Sequence, residues 1–201
     1  MSNNNISEIR LSGIGGSPGI CIGMAYLVDR EGVEVIEKYH IGKKYLQREK
    51  NRFKAAVKKA MDELHVIIEN TPEIYRQPAS ILETHVVLLK DKMLYEKTVE
   101  TIEEEHVNAE WALRKVVASV KTIFRNMEDA YLKERVTDIV NVSDRILRNL
   151  AGAKQVDIEN IDKRVILVAN DLCPAETSQI NLERIKGFVT DRGGRSSHTS
   201  I

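Results

Sequence analysis

The chain has no excess of charge of either sign: its 201 residues carry 30 Lys+Arg against 30 Asp+Glu. A balanced chain gives no electrostatic reason to expect nucleic acid or an anionic membrane as the main partner, since both are met by clustered cations. Cysteine is scarce. Cys21 and Cys173 lie far apart, without CxxC spacing and without histidine at metal-ligand spacing, which argues against a disulfide scaffold and for a reducing compartment. Both are expected to be buried small hydrophobes, and no metal site is expected. No apolar run approaches the roughly 20 residues that span a bilayer. The polar start Met1-Ser2-Asn3-Asn4-Asn5 lacks the order of a signal peptide, so a cytoplasmic protein is expected. Internal repeats and low-complexity tracts are absent too. What the chain does have is 42% hydrophobic residues, enough for one substantial domain or two modest ones.

Those apolar residues are arranged in two ways. Ile9, Leu11, the cluster Gly13-Ile14-Gly15-Gly16-Ser17-Pro18-Gly19 and the β-leaning stretch Ile20 to Val28 predict strand, turn, strand. From about Gly42 to Leu150 the period changes, with Leu46, Phe53, Val57, Ala60, Met61, Leu64, Ile67 and Ile68 at helical spacing. Breaks fall at Thr71-Pro72, at Gln77-Pro78, near Lys90-Asp91 and near His106-Val107-Asn108, where Asn108 is a candidate cap for a helix beginning at Ala109. This predicts about four helices. The last has no Gly or Pro between Ala109 and Leu150 and is expected to run through or bend, until Gly152 ends it. Beyond Gly152 the pattern alternates: a buried strand Arg164 to Ala169, a short helix Pro174 to Leu182, and a second strand Ile185 to Thr190. A helix between two apolar runs favours a parallel pair. The simplest architecture is an α/β domain made from both chain ends, with a helical domain inserted in its middle.

The second strand runs into Asp191-Arg192-Gly193-Gly194-Arg195-Ser196-Ser197-His198-Thr199-Ser200. Paired glycines let backbone N–H groups turn inward on a ligand, and a helix opening near Ser197 would add its positive end. Arg195 supplies a forked donor for phosphate oxygens. A histidine with an ordinary pKa of about 6.5 is largely neutral at cytoplasmic pH, leaving a ring nitrogen free to attack phosphorus. By spacing alone, the same residues read equally well as a turn followed by a capped helix start.

The run Gly193 to Ile201 resembles the phosphohistidine motif of Enzyme I, the phosphoenolpyruvate-protein phosphotransferase of the bacterial sugar phosphotransferase system. Similar segments occur, in the family's order, at Ser17-Pro18-Gly19-Ile20, at His85 to Asp91, at Tyr131 to Arg135 through Asp144 to Asn149, and at Val165 to Ala169 through Leu172, Pro174, Glu176 and Thr177. Thr199 and the helical insertion favour Enzyme I over the related dikinase and synthase. The resemblance implies a swivelling α/β phosphohistidine domain from residues 1–35 and 151–201, with an inserted helical subdomain, 36–150, that docks the carrier protein HPr. It implies that His198 takes the phosphoryl group of phosphoenolpyruvate on Nε2 and passes it to HPr, with Gly193, Gly194 and Arg195 around the phosphate and Thr177 orienting the ring. HPr contacts are implied at Val87, Leu88, Leu94, Tyr131 and Arg135.

Two departures accompany the resemblance. Where the family often places acidic residues toward the basic surface of HPr, this chain has Arg76, Gln77, Lys90, Lys92 and Met93, which sets its charge complementarity with a standard carrier in question. The family also continues past the histidine into further strands and a barrel that binds phosphoenolpyruvate and Mg²⁺ and makes the homodimer. The chain given ends at Ile201, so the expectation is an α/β part truncated at its C-terminus: monomeric, without a cofactor of its own, and unable to charge itself from phosphoenolpyruvate. The competing expectation is an HPr-docking module without phosphoryl chemistry. A nitrogen-related Enzyme I is disfavoured, since the sensory N-terminal extension of that branch is not seen.

Overall fold

The computed structural model describes residues 8–28, 37–73, 76–125, 130–152, 158, 161–191 and 193, with backbone alone at 76–79, 125 and 130–134. Between two β-type stretches lie α1 (Leu46–Asn70), α2 (Arg76–Leu88), α3 (Tyr95–Glu105), α4 (Ala109–Arg125) and α5 (Ala130–Ala151). Phe53, Ala56, Val57, Ala60, Leu64 and Ile67 of α1 recur every three to four residues and are all buried, which is the apolar stripe that makes this segment a helix. α1 stops because Pro72 drives Thr71 into extended backbone (ψ 123°), and the Thr71 hydroxyl donates to the Ile67 carbonyl at 2.7 Å.

Among the described residues five helices stand in this stretch where about four are expected. The stretch 109–151 is two helices packed against each other, with Val116, Val117 and Val120 of one and Val142, Ile146 and Leu147 of the other in a shared core. Burial of two apolar faces favours two packed helices over one, and no Gly or Pro lies between them in the sequence. Pro78 does not end a helix either; it sits in the first turn of α2, where its missing N–H costs nothing. Gly152, at φ 66°, ends α5 as expected.

Asn108 precedes α4, but its side chain is used elsewhere. Its Oδ1 accepts the Tyr39 N–H at 3.1 Å, and its Nδ2 donates to Glu110 at 3.1 Å. The free N–H of Ala109 donates instead to Glu49 Oε1 of α1 at 2.8 Å. That carboxylate is one arm of a cluster centred on Arg52, which reaches Glu49 at 2.6 Å and both oxygens of Glu110 at 2.7 and 2.6 Å. The two carboxylates hold the Arg52 guanidinium above its already high ordinary pKa. Burial pushes the Glu110 carboxyl up, but the Arg52 hydrogen bond, with help from Asn108, leaves it below its usual value.

The sheet has three parallel strands in the order β1 (Met24–Val28), β2 (Val165–Ala169), β3 (Ile185–Thr190). β1 comes from before the helices and β2 from after them, so the central strand joins the two ends of the chain. Only one strand forms in the 9–28 stretch, not two: Ile9, Leu11, Ile14, Ile20 and Ile22 are all exposed and outside the ladder. Between β2 and β3, α6 (Pro174–Thr177) is shorter than the helix expected to reach Leu182. Asn181 cuts it short by opening a turn of its own, its side chain accepting the Glu183 N–H at 2.9 Å. A second core, with Val28, Ile158, Leu167 and Leu172 in it, lies against the sheet. Cys173 and Ala175 of the α6 segment instead join the helical core. Cys173 is buried as expected; Cys21 is exposed.

Candidate functional site

A parallel sheet delivers its loops at the carboxyl ends of the strands, and ligands of open α/β sheets bind there. β2 leaves its end through Asn170 to Cys173 into α6, and β3 leaves its own through Asp191 to Gly193. The two exits are tied together: the Asp191 N–H donates to the Ala169 carbonyl at 3.3 Å, and Asn170 Nδ2 donates to Asp191 Oδ2 at 3.4 Å. The glycine motif therefore starts beside the loop that leads into α6, whose last residue is Thr177. Gly193 has φ 117°, a conformation side chains rarely adopt, as a glycine-built anion loop requires. Gly194, Arg195 and His198 lie outside the described residues.

α6 is set by its own sequence. Cys173 opens it, Pro174 occupies the first turn, and Glu176 reaches back to accept the Cys173 N–H at 2.8 Å. The Thr177 hydroxyl has the Pro174 carbonyl at 3.0 Å and the Cys173 carbonyl at 3.4 Å. Its proton goes to the helix backbone, so toward any neighbour the oxygen is an acceptor. It can take an N–H from a neutral imidazole and leave the ring's other nitrogen free. Glu176 and its partner Arg148 on α5, 3.5 Å apart, are residues that sequence reasoning passes over as functional. The Cys173-x-x-Glu176 spacing was the available signal for the first.

The residues expected to meet HPr divide. Val87 is 69% exposed on α2, and Arg135 is exposed on α5. Leu88 and Leu94, at 7% and 3%, are buried in the helical core, which removes them as surface contacts in this structure. An apolar position at helical spacing faces the core before it faces a partner. Tyr131 belongs to α5, with its side chain outside the described residues, as are those of Arg76 and Gln77. Lys90, Lys92 and Met93 are exposed around the turn between α2 and α3. His85, two residues from Val87, is buried, and its Nε2 lies 3.2 Å from Asp138 Oδ1 of α5, a hydrogen-bonded packing residue as expected.

Comparison with known proteins decides the family. Residues 12–135 match the model of the PEP-utilising enzyme N-terminal domain, and residues 161–201 match that of the PEP-utilising enzyme mobile domain. A solution structure of Enzyme I superimposes with a TM-score of 0.80 at 35% identity, covering 95% of this chain and 77% of that one. The chain belongs to the Enzyme I family of PEP-utilising enzymes. Phosphoenolpyruvate-protein phosphotransferases of Bacillus subtilis (strain 168) and Buchnera aphidicola subsp. Schizaphis graminum are 38% and 36% identical to it, each over 192 residues. Those matches cover 95% of this chain and 33% and 34% of the relatives, so the chain spans about a third of their length. An N-terminal domain of a nitrogen-branch Enzyme I shares the fold, with a TM-score of 0.61 at 23% identity. Among the described residues no helix is long and apolar enough to cross a membrane, and no group of three or more His, Cys, Asp or Glu is placed to hold a metal ion.

Proposed function

We propose that this chain is the phosphoryl-relay part of a cytoplasmic phosphoenolpyruvate-protein phosphotransferase, with His198 as the residue that carries the phosphoryl group. The observation that supports this is the junction of the β2 and β3 exits, where Asp191 is bonded to Ala169 and Asn170: one exit leads into α6, which ends at Thr177, and the other to the positive-φ Gly193. In the forward step a neutral His198 nitrogen attacks phosphorus, the bond from phosphorus to the enol oxygen breaks, and pyruvate enolate leaves. In the second step a histidine nitrogen of HPr attacks the same phosphorus and the bond to His198 breaks. Gly193, Gly194 and Arg195 would hold the phosphate oxygens, and Thr177 would accept the N–H of the unphosphorylated ring.

Residues 1–35 and 151–201 form the swivelling phosphohistidine unit in this reading, and 36–150 the HPr-docking unit, with Val87, Tyr131 and Arg135 on its docking face. In this reading phosphoenolpyruvate, Mg²⁺ and the dimer contacts would belong outside the third of the relatives' length that the chain spans. Reverse transfer needs none of that. Incubation with phosphorylated HPr is expected to place acid-labile phosphate on the chain, and His198→Ala to abolish it while HPr binding persists. Equal HPr binding by both forms with labelling of neither would instead mark a docking module.

A further inference from the structure

We infer that Arg148 and Glu176 are positioning residues for the transfer step: their contact holds α6 so that the Thr177 hydroxyl meets the histidine ring. The inference rests on the assignment of Thr177 and His198 made above. A four-residue helix cannot hold its own orientation, because helical hydrogen bonds at that length do not cover the cost of nucleation. Its direction is set from outside. Glu176 is buried, and its two carboxylate oxygens serve different elements: Oε2 accepts the Cys173 N–H at 2.8 Å, and Oε1 faces Arg148 Nη1 at 3.5 Å. Arg148 is itself largely covered and stands in the last turn of α5, where a cation also answers the negative helix end.

One carboxylate thus caps α6 and tethers it to the helical core. Thr177 is the next residue, and its hydroxyl is bound to carbonyls of that same turn. Any rotation of α6 swings the hydroxyl with it, and loss of the Arg148 charge removes the tether from Glu176 to α5. Reaction rates are sensitive to such displacements, since misplacement by about 1 Å can cost up to two orders of magnitude.

The test is a double-mutant cycle on phosphoryl exchange with phosphorylated HPr, using the full chain and variants that melt cooperatively. Arg148→Met and Glu176→Gln are each expected to lower kcat about tenfold, with KM for HPr nearly unchanged. Arg148→Lys should restore part of the loss. In a Thr177→Val background, Arg148→Met should cost nothing further, because the group it positions is gone. Glu105→Gln is the control: it removes the partner of Lys115 between the end of α3 and α4, a pair not in contact with α6, and should leave kcat in place. Full additivity in the Thr177→Val background, or an equal loss in Glu105→Gln, would overturn the positioning role alone. A wild-type chain that takes up no phosphoryl group would overturn the relay and this role with it.

Discussion

Glu110 shows at the scale of one residue how the fold fixes a charge. Its carboxyl is depressed because Arg52 and Asn108 hold its ionised form against the pull of burial. A carboxyl depressed on folding adds stability above its unfolded pKa of about 4.3, and that stability is lost as pH falls through the folded value. Glu110→Gln is therefore expected to cost about 1–3 kcal/mol near neutral pH, seen as a lower melting temperature. The gap between the two proteins should close as pH falls below about 4. A gap independent of pH would show that the cluster holds by packing rather than charge. Nothing in the sequence marks Arg52, Glu49 and Glu110 as partners. They are 58 or more positions apart across two helices, or one turn apart on a charged face, and charged helical residues usually face solvent. Asn108 was legible as a residue at a helix start, but which donor it serves depends on the Tyr39 segment folding back against it.

Elements were more legible than residues. The strands at 165–169 and 185–190 and the ends of α1, α3 and α5 lie where period changes and punctuating residues put them. Errors came where packing decided without punctuation. The stretch between α4 and α5 has no glycine or proline to announce a helix end, and the strand-like residues before β1 have no partner strand among the described residues. Leu88 and Leu94 are expected at a partner surface and are buried in the helical core, since a local pattern cannot say which side of a helix the core will take. Gly152 gives the element scale its test. Its φ of 66° ends α5, and an added Cβ would meet nothing within 4 Å. Gly152→Ala should then destabilise through backbone strain alone, by about 1–2 kcal/mol, with Gly152→Asn milder. Denaturant unfolding of the three proteins measures this, and equal stability would mean that the helix end relaxes elsewhere.

At the scale of the whole molecule, apolar side chains among the described residues stay exposed along β1 and its approach. Ile20 and Ile22 are 97% and 94% exposed, and Met24, Leu27, Phe188 and Val189 add apolar surface nearby in the sheet and its approach. Apolar surface gathered in this way binds hydrophobic dyes in the folded state. Native protein is expected to enhance the fluorescence of anilinonaphthalene sulfonate. The pair Ile20→Ser and Ile22→Ser should weaken that signal without lowering the melting temperature, because neither side chain is packed. A native protein that leaves the dye dark would show this end to be covered.

The family, the parallel pairing of β2 with β3 and a helical stretch between β-type segments are common ground between sequence and structure. The relay itself rests on chemistry at one atom. Phosphorus-31 NMR of the chain after a single turnover with phosphorylated HPr tests it most directly. The account predicts a phosphoramidate resonance that is stable in base, lost in acid and absent from His198→Ala. A folded chain that binds HPr yet shows no such resonance, or one that persists in His198→Ala, would contradict it.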